Sequence, residues 1–123
     1  MIKHVRRHVR SYKYAAQGVH YTLTSQVNIW FQLSASAVVL ALALWLNFSL
    51  ERYIILLLTI GFVISIELIN TALEEMTNLL SPEYRDKAGI VKDVSAGAVL
   101  VAAITAALIG VILFLPPLVD KLS

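Results

Sequence analysis

The chain has 123 residues, of which 59% are hydrophobic and only 15% are charged, and its mean hydropathy is +0.77. A soluble domain of this length needs more polar surface than that, so the composition excludes an ordinary soluble protein and predicts one integral membrane domain over residues 1–123. The absence of cysteine excludes disulfides and thiol chemistry.

The first predicted element is an amphipathic helix over residues 1–25 that lies on the membrane surface. It carries several basic residues and no acid, and Val5, Val9 and Tyr12 stand at i, i+4 and i+7, on one face. Its plainest role is to anchor the chain on anionic lipids. We expect no nucleic-acid partner, because this segment continues straight into an apolar span. We also expect no cleaved signal peptide, because no short apolar core with a small-residue cleavage site follows the basic start.

Three transmembrane helices are predicted next, over residues 27–46, 53–73 and 94–115. Each has about the 20 residues that cross a hydrocarbon layer of about 30 Å. Trp30 and Trp45 lie near the two ends of the first span, as interfacial anchors do. The complete expectation is an all-α membrane protein with one surface helix and three spans.

Small residues four apart occur in the third span, at Ala98 and Ala102 and again at Ala106 and Gly110. That spacing lets membrane helices approach closely. The consecutive Pro116 and Pro117 are expected to end this helix, because proline lacks the N–H that continues it.

The distribution of basic residues predicts the orientation. Lys and Arg concentrate in the N-terminal segment and in the loop over residues 78–92, which places both in the cytoplasm and the C-terminus outside. Within that loop, Ser81, Pro82 and Glu83 form a helix start signal, because serine caps and proline suits the first position.

Glu67, Asn70 and Glu74 form an acidic and amide-bearing stripe at the end of the second span. They stand at i, i+3 and i+7, so a helix places them on one face, after residues 53–66 that carry no charge. An acid at the centre of a bilayer costs about 2.5–3.5 kcal/mol, and less near its surface. Such a residue is paired or functional.

Two interpretations of the stripe remain open from spacing alone. Glu67 and Asn70 would hydrogen-bond between spans and hold a bundle together, or they would do chemistry. In the second case Glu67 is a proton acceptor, Glu74 holds Mg²⁺ with phosphate oxygens, and Lys92 and Asp93 meet the phosphate. One base in the membrane and one metal–phosphate site at its surface suit phosphoryl transfer to a lipid hydroxyl.

Other catalytic motifs are absent from the sequence. It contains no nucleotide-binding glycine loop, no G-x-S-x-G and no H-E-x-x-H. His4 and His8 are four apart, but no third metal ligand accompanies them, so we expect them to be solvated.

The sequence resembles the prokaryotic diacylglycerol kinase family, which includes the undecaprenol kinases. The resemblance rests on Glu67-Leu-Ile-Asn70-Thr-Ala-Leu-Glu74, on Glu83-Tyr84 and on the run from Lys92-Asp93 to Leu100, and it extends to residues 14–18. It implies a homotrimer of three-span protomers in the bacterial cytoplasmic (inner) membrane. It also implies phosphorylation of a membrane lipid alcohol by ATP with Mg²⁺.

The resemblance implies a role for each matching position. Glu67 would be the general base and contact the substrate, Asn70 would support it, and Ala96 would line the lipid site. Glu74 would bind both metal and ATP. The other residues beside ATP would be Arg7, Tyr14, Glu83, Tyr84, Arg85, Lys92 and Asp93.

Several positions depart from the family pattern. Gln26 stands where a second metal-binding glutamate is expected, and a neutral amide is a weaker ligand for a hard cation. Trp30 replaces a basic residue, Asn78 replaces an aspartate, and Arg85 replaces a histidine. We expect activity with an altered metal demand.

Thr71 and the run over residues 95–100 favour undecaprenol over diacylglycerol as the substrate, within phospholipid metabolism or the recycling of undecaprenyl phosphate. Two other classes compete with the kinase. One is a catalytically impaired relative or a non-enzymatic membrane scaffold. The other is a small transporter with Glu67 as proton carrier, which has no need of Glu74, Lys92 and Asp93.

Overall fold

The computed structural model describes residues 2–80 and 84–123, with side chains from Arg7 onward, and this part of the chain is helical. Its helices are α1 (Ile2–Ser25), α2 (Asn28–Trp45), α3 (Leu50–Asn78) and α4 (Arg85–Leu122). The last three are long and apolar enough to cross a membrane, and only 11–22% of their most apolar windows is buried inside the chain. This confirms the all-α membrane architecture with three spans.

The predicted N-terminal helix is also confirmed, over residues 2–25, and it is continuous. No bend occurs at Gly18, whose carbonyl accepts the Thr22 hydroxyl. Val9 and Tyr12, on the predicted apolar face, are 63% and 77% exposed. That face is therefore free to contact a membrane surface.

A Schellman cap ends α2 and starts the turn into α3. Asn47 has φ of 53°, in the left-handed region that asparagine tolerates. Its N–H bonds the Leu44 carbonyl, and the Phe48 N–H bonds the Ala43 carbonyl. Ser49 then caps α3 by accepting the Arg52 N–H. These local bonds satisfy backbone groups that the membrane would otherwise leave without partners.

The apolar core lies at this end of the molecule, beside the α2–α3 turn. Its buried members are Ala43, Leu46, Phe48, Leu56 and Leu113, and Phe114 packs against them. The Phe48 ring lies 4.6 Å from the Phe114 ring, centroid to centroid. The core therefore joins α2, α3 and α4 at the end opposite the acidic stripe.

The expectation that Pro116 and Pro117 end the third span is wrong, because α4 passes through both prolines to Leu122. Pro117 lacks an N–H, which leaves the Leu113 carbonyl without its usual helical donor. The Arg52 guanidinium, at the start of α3, donates to that carbonyl. A side chain from another helix thus replaces the missing backbone bond.

Two other expectations need correction. Much of the predicted 78–92 loop is helical, because α4 begins at Arg85; Ser81, Pro82 and Glu83 lie outside the described residues. Of the small residues in α4, Ala102 is buried, but a Cβ on Gly110 would meet nothing within 4 Å. Within the described part of this chain, Ala106 and Gly110 line an open groove and make no tight contact with another helix.

Candidate functional site

The corner between α1 and α2 brings Gln26 to the acidic stripe. The Trp30 indole N–H donates to the Leu23 carbonyl over 2.9 Å, and the Gln26 N–H bonds the Thr22 carbonyl. These bonds join the end of α1 to the start of α2. Trp30, which replaces a basic residue of the family pattern, thus fixes this corner.

Glu67 is completely buried, with an exposed fraction of 0%. One carboxylate oxygen, Oε2, accepts the Gln32 side-chain N–H over 3.0 Å. The other oxygen, Oε1, has no donor among the residues that the structure describes, and neither has Gln32 Oε1. A buried acceptor without a donor is costly, so this pair is suited to a ligand that brings an O–H.

Both oxygens of Glu74 are occupied by amide donors. Asn70 Nδ2 donates to Oε1 over 3.1 Å, and Gln26 Nε2 donates to Oε2 over 3.2 Å. Glu74 is half-buried, two turns nearer the end of α3 than Glu67. Its carboxylate is therefore oriented by neutral groups on α3 and at the α1–α2 corner.

Asn70 links Glu74 to α4. It is 5% exposed, and its Oδ1 accepts the Ser95 hydroxyl over 2.6 Å. The structure thus assembles Glu67, Asn70 and Glu74 on one buried face, as their spacing predicts, and adds Ser95 from the facing helix.

The predicted nucleotide-binding residues do not all join this cluster. Lys92 donates to Asn78 Oδ1 over 2.6 Å, so α4 meets the end of α3 there. Ala96 and Asp93 are exposed on α4, and Tyr84 and Arg85 are exposed at its start. Glu83 lies outside the described residues.

Arg7 and Tyr14 are exposed on α1, seven residues apart and on one face. Arg7 is 19 residues from Gln26, about 28 Å along a helix. The C-terminal half of α1 contacts α3 instead. There, hydrogen bonding to Glu75, with loss of hydration and the charge of that carboxylate, raises the pKa of Tyr21 above its ordinary 10.0.

An apolar groove of about 540 Å³ runs along α2, α3 and α4 from Gln32 towards Phe114. Val63, which lines it on α3, is one turn before Glu67 and on the same helix face. The groove therefore extends from the core end of the molecule to Gln32, the side chain that holds Glu67.

The residues present suit Mg²⁺ in part. Among the residues searched, which exclude those the structure does not describe, no group of three or more His, Asp or Glu side chains could hold a metal. Glu74 offers one carboxylate, and the Gln26 amide offers an oxygen if it turns. Mg²⁺ commonly binds through one or two carboxylates plus phosphates and water, so this donor set fits a metal that arrives with a nucleotide.

Two polar residues of the site were not singled out from the sequence as functional. Gln32 is one of several polar residues in the first turns of α2, and Ser95 stands in a small-residue run. The sequence could have identified both as candidates, because each is a side chain able to hydrogen-bond in a segment long enough to span a membrane.

Comparison with known proteins gives a consistent result. A family model described as prokaryotic diacylglycerol kinase matches residues 13–114. An undecaprenol kinase from Bacillus subtilis is 34% identical over 112 residues, which are 91% of each chain. A diacylglycerol kinase from Synechocystis is 39% identical over 111 residues, 89% of this chain and 63% of that protein. A diacylglycerol kinase from Escherichia coli K12 is 32% identical over 78 residues, 62% of this chain and 64% of that protein.

Proposed function

Because this chain belongs to the prokaryotic diacylglycerol kinase family, we propose that it transfers the γ-phosphate of ATP to the hydroxyl of a membrane lipid alcohol, with undecaprenol preferred over diacylglycerol. The observation that carries the proposal is the completely buried Glu67, whose Oε1 lacks a donor beside an apolar groove. An alcohol on an apolar chain supplies what that oxygen lacks.

The proposed reaction uses Glu67 as the general base. Glu67 Oε1 accepts the hydroxyl proton while Gln32 holds Oε2. The lipid oxygen forms a bond to the γ-phosphorus, the bond from that phosphorus to the bridging oxygen breaks, and ADP leaves.

Glu74 is half-buried and lies two turns nearer the end of α3 than Glu67. We propose that Glu74, with Gln26, holds Mg²⁺, which when bound neutralises phosphate charge. Lys92 would contribute a further positive charge and Asp93 would orient it. The family pattern alone supports the other proposed nucleotide contacts, which are Arg7, Tyr14, Glu83, Tyr84 and Arg85.

The lipid chain would lie along the groove that ends near Gln32, with Ala96 beside the headgroup. The preference for undecaprenol is supported by the Bacillus subtilis undecaprenol kinase, which this chain matches over 91% of both lengths. The Synechocystis relative is named a diacylglycerol kinase, so diacylglycerol is the alternative substrate that the experiment must also offer.

The proposed setting is the bacterial cytoplasmic membrane, with the N-terminus and the site facing the cytoplasm and three copies forming a homotrimer. Little of each span is buried within one chain, which leaves apolar surface for lipid and for other protomers. Arg7 and Tyr14 are exposed on α1, and we propose that a neighbouring copy completes the nucleotide site around them.

The test offers radiolabelled ATP with undecaprenol and with diacylglycerol in parallel, to the purified protein in matched detergent micelles. We expect label in both lipids, with the larger kcat/KM for undecaprenol. Label in neither lipid would overturn the kinase proposal. A larger kcat/KM for diacylglycerol would overturn only the substrate preference.

A catalytically impaired relative is the second candidate, and one contact favours it. The family pattern expects a carboxylate at position 26. Here the side-chain amide of Gln26 occupies that position and donates its Nε2–H to Glu74 Oε2. Binding of ATP without turnover of either lipid would support this candidate.

A further inference from the structure

Ser95 is the side chain that α4 contributes to the buried polar cluster. It is 5% exposed, and its hydroxyl donates to Asn70 Oδ1 over 2.6 Å. We propose that Ser95 is a positioning residue that acts through Asn70 on Glu74 and so sets the affinity for the metal–nucleotide. This rests on the proposed function, because it takes Glu74 to be the carboxylate that meets magnesium and ATP.

The partner of the Ser95 hydroxyl is a side chain, whereas the other serine and threonine hydroxyls that donate hydrogen bonds in the described residues bond backbone carbonyls three or four residues earlier. Serine and threonine in a membrane helix usually satisfy the hydroxyl with the carbonyl four residues earlier. Ser36 and Ser65 do so here, as do Ser11, Thr22, Thr24, Thr59, Thr71 and Ser123. Ser95 instead gives its one proton to a side chain on α3. Its hydroxyl therefore serves a contact between helices.

The Ser95 hydroxyl and the Glu74 carboxylate hold opposite ends of the Asn70 amide. An amide presents an oxygen on one side and two N–H donors on the other, and only the N–H side can bond a carboxylate. With the oxygen held by Ser95, Asn70 Nδ2 points to Glu74 Oε1 over 3.1 Å. Such a chain of hydrogen bonds also polarises the amide and strengthens the donor.

The space around Asn70 would allow its side chain to move if the Ser95 bond were absent. Asn70 and Ser95 line a groove of about 300 Å³ between α3 and α4, together with Leu73 and Val94. Packing alone leaves the amide space to rotate on that side. Without the Ser95 hydroxyl, the buried Asn70 Oδ1 loses its donor, and the side chain can move away from Glu74 and weaken the bond from Nδ2 to Oε1.

Ser95→Ala tests the proposal in the full-length protein. We expect the KM for MgATP to rise threefold to tenfold, with the KM for undecaprenol unchanged within twofold. Binding of Mn²⁺–ATP, measured without lipid by electron paramagnetic resonance, should weaken by the same factor. Ser95→Thr keeps the hydroxyl and should restore both values. Ser65→Ala is the matched control, because its hydroxyl bonds its own helix at Gly61 and its removal should change neither.

A double mutant tests the route through Asn70. Adding Ser95→Ala to Asn70→Ala should not weaken Mn²⁺–ATP binding further, because the intermediary is already gone. Full additivity of the two effects would overturn the proposal, as would unchanged nucleotide affinity in Ser95→Ala. Ser95→Cys, with similar volume and a weaker donor, should give a smaller shift in the same direction and replaces the alanine variant if that does not fold. Failure of the wild type to label any lipid would instead overturn the proposed function.

Discussion

Where α2 turns into α3, the buried side chains are apolar, whereas the far end of α3 buries a carboxylate, an amide and hydroxyls. Leu56 and Glu67 mark the two regions on the same helix, about 16 Å apart by helical rise. In the first region, side chains pack and a Schellman cap closes the backbone. In the second, hydrogen bonds orient side chains beside two grooves that remain open.

The comparison indicates that one end of the spans stabilises the fold and that the other end carries the proposed chemistry. The apolar end holds α2, α3 and α4 together by van der Waals packing, because lipid offers no hydrophobic drive between helices. The polar end leaves Glu67 Oε1 and Gln32 Oε1 without donors among the described residues. Substitutions at the first end should therefore change stability, and substitutions at the second should change activity.

The largest expected effect is that of Glu67→Gln. We expect kcat to fall at least a hundredfold, in the range that general-base catalysis provides, because the amide cannot accept the hydroxyl proton. The thermal midpoint in detergent should stay within a few degrees, since glutamine keeps the shape of the side chain. Undiminished phosphorylation of the lipid would remove Glu67 as the base. Glu51→Gln, at the exposed start of α3, is the control.

Phe48→Ala tests the opposite end. Its ring contacts those of Tyr53 and Phe114, and its removal should lower the free energy of unfolding by about 3 kcal/mol, near the low end for large aromatic truncations. Specific activity per folded protein should not change. Loss of activity in fully folded protein would contradict the division between the two ends.

Arg52→Met is expected to cost about 1–2 kcal/mol of stability, because the Leu113 carbonyl loses its charged donor beside Pro117. In a Pro117→Ala background the cost should shrink, because the alanine N–H can satisfy that carbonyl. Thermal unfolding of the four proteins measures the coupling. An equal cost in both backgrounds would show that Arg52 does not substitute for the missing backbone bond.

Gln26→Glu has the smallest expected effect. A second carboxylate beside Glu74 should lower the half-saturating Mg²⁺ concentration about threefold to tenfold. It should also make the thermal midpoint rise with Mg²⁺ more than in the wild type, because the metal relieves repulsion between the two acids. Gln32→Glu, which places an acid beside Glu67 instead, is the comparison. Identical Mg²⁺ titrations for wild type and Gln26→Glu would place Gln26 away from the metal.

The sequence by itself determined the membrane class, the number of spans and the shared face of Glu67, Asn70 and Glu74. These follow from local hydropathy and from the 3.6-residue period, which need no knowledge of neighbouring helices. Comparison with the family pattern also showed, from the sequence alone, that Gln26 stands where a glutamate is expected.

Tertiary structure decided the partners of those residues. Three contacts join residues 25 to 48 positions apart in the chain: Gln32 with Glu67, Gln26 with Glu74, and Ser95 with Asn70. The passage of α4 through Pro116 and Pro117 has the same origin, because Arg52 supplies the donor that proline lacks. Local patterns predict where a helix is favoured, but only packing determines which polar groups meet.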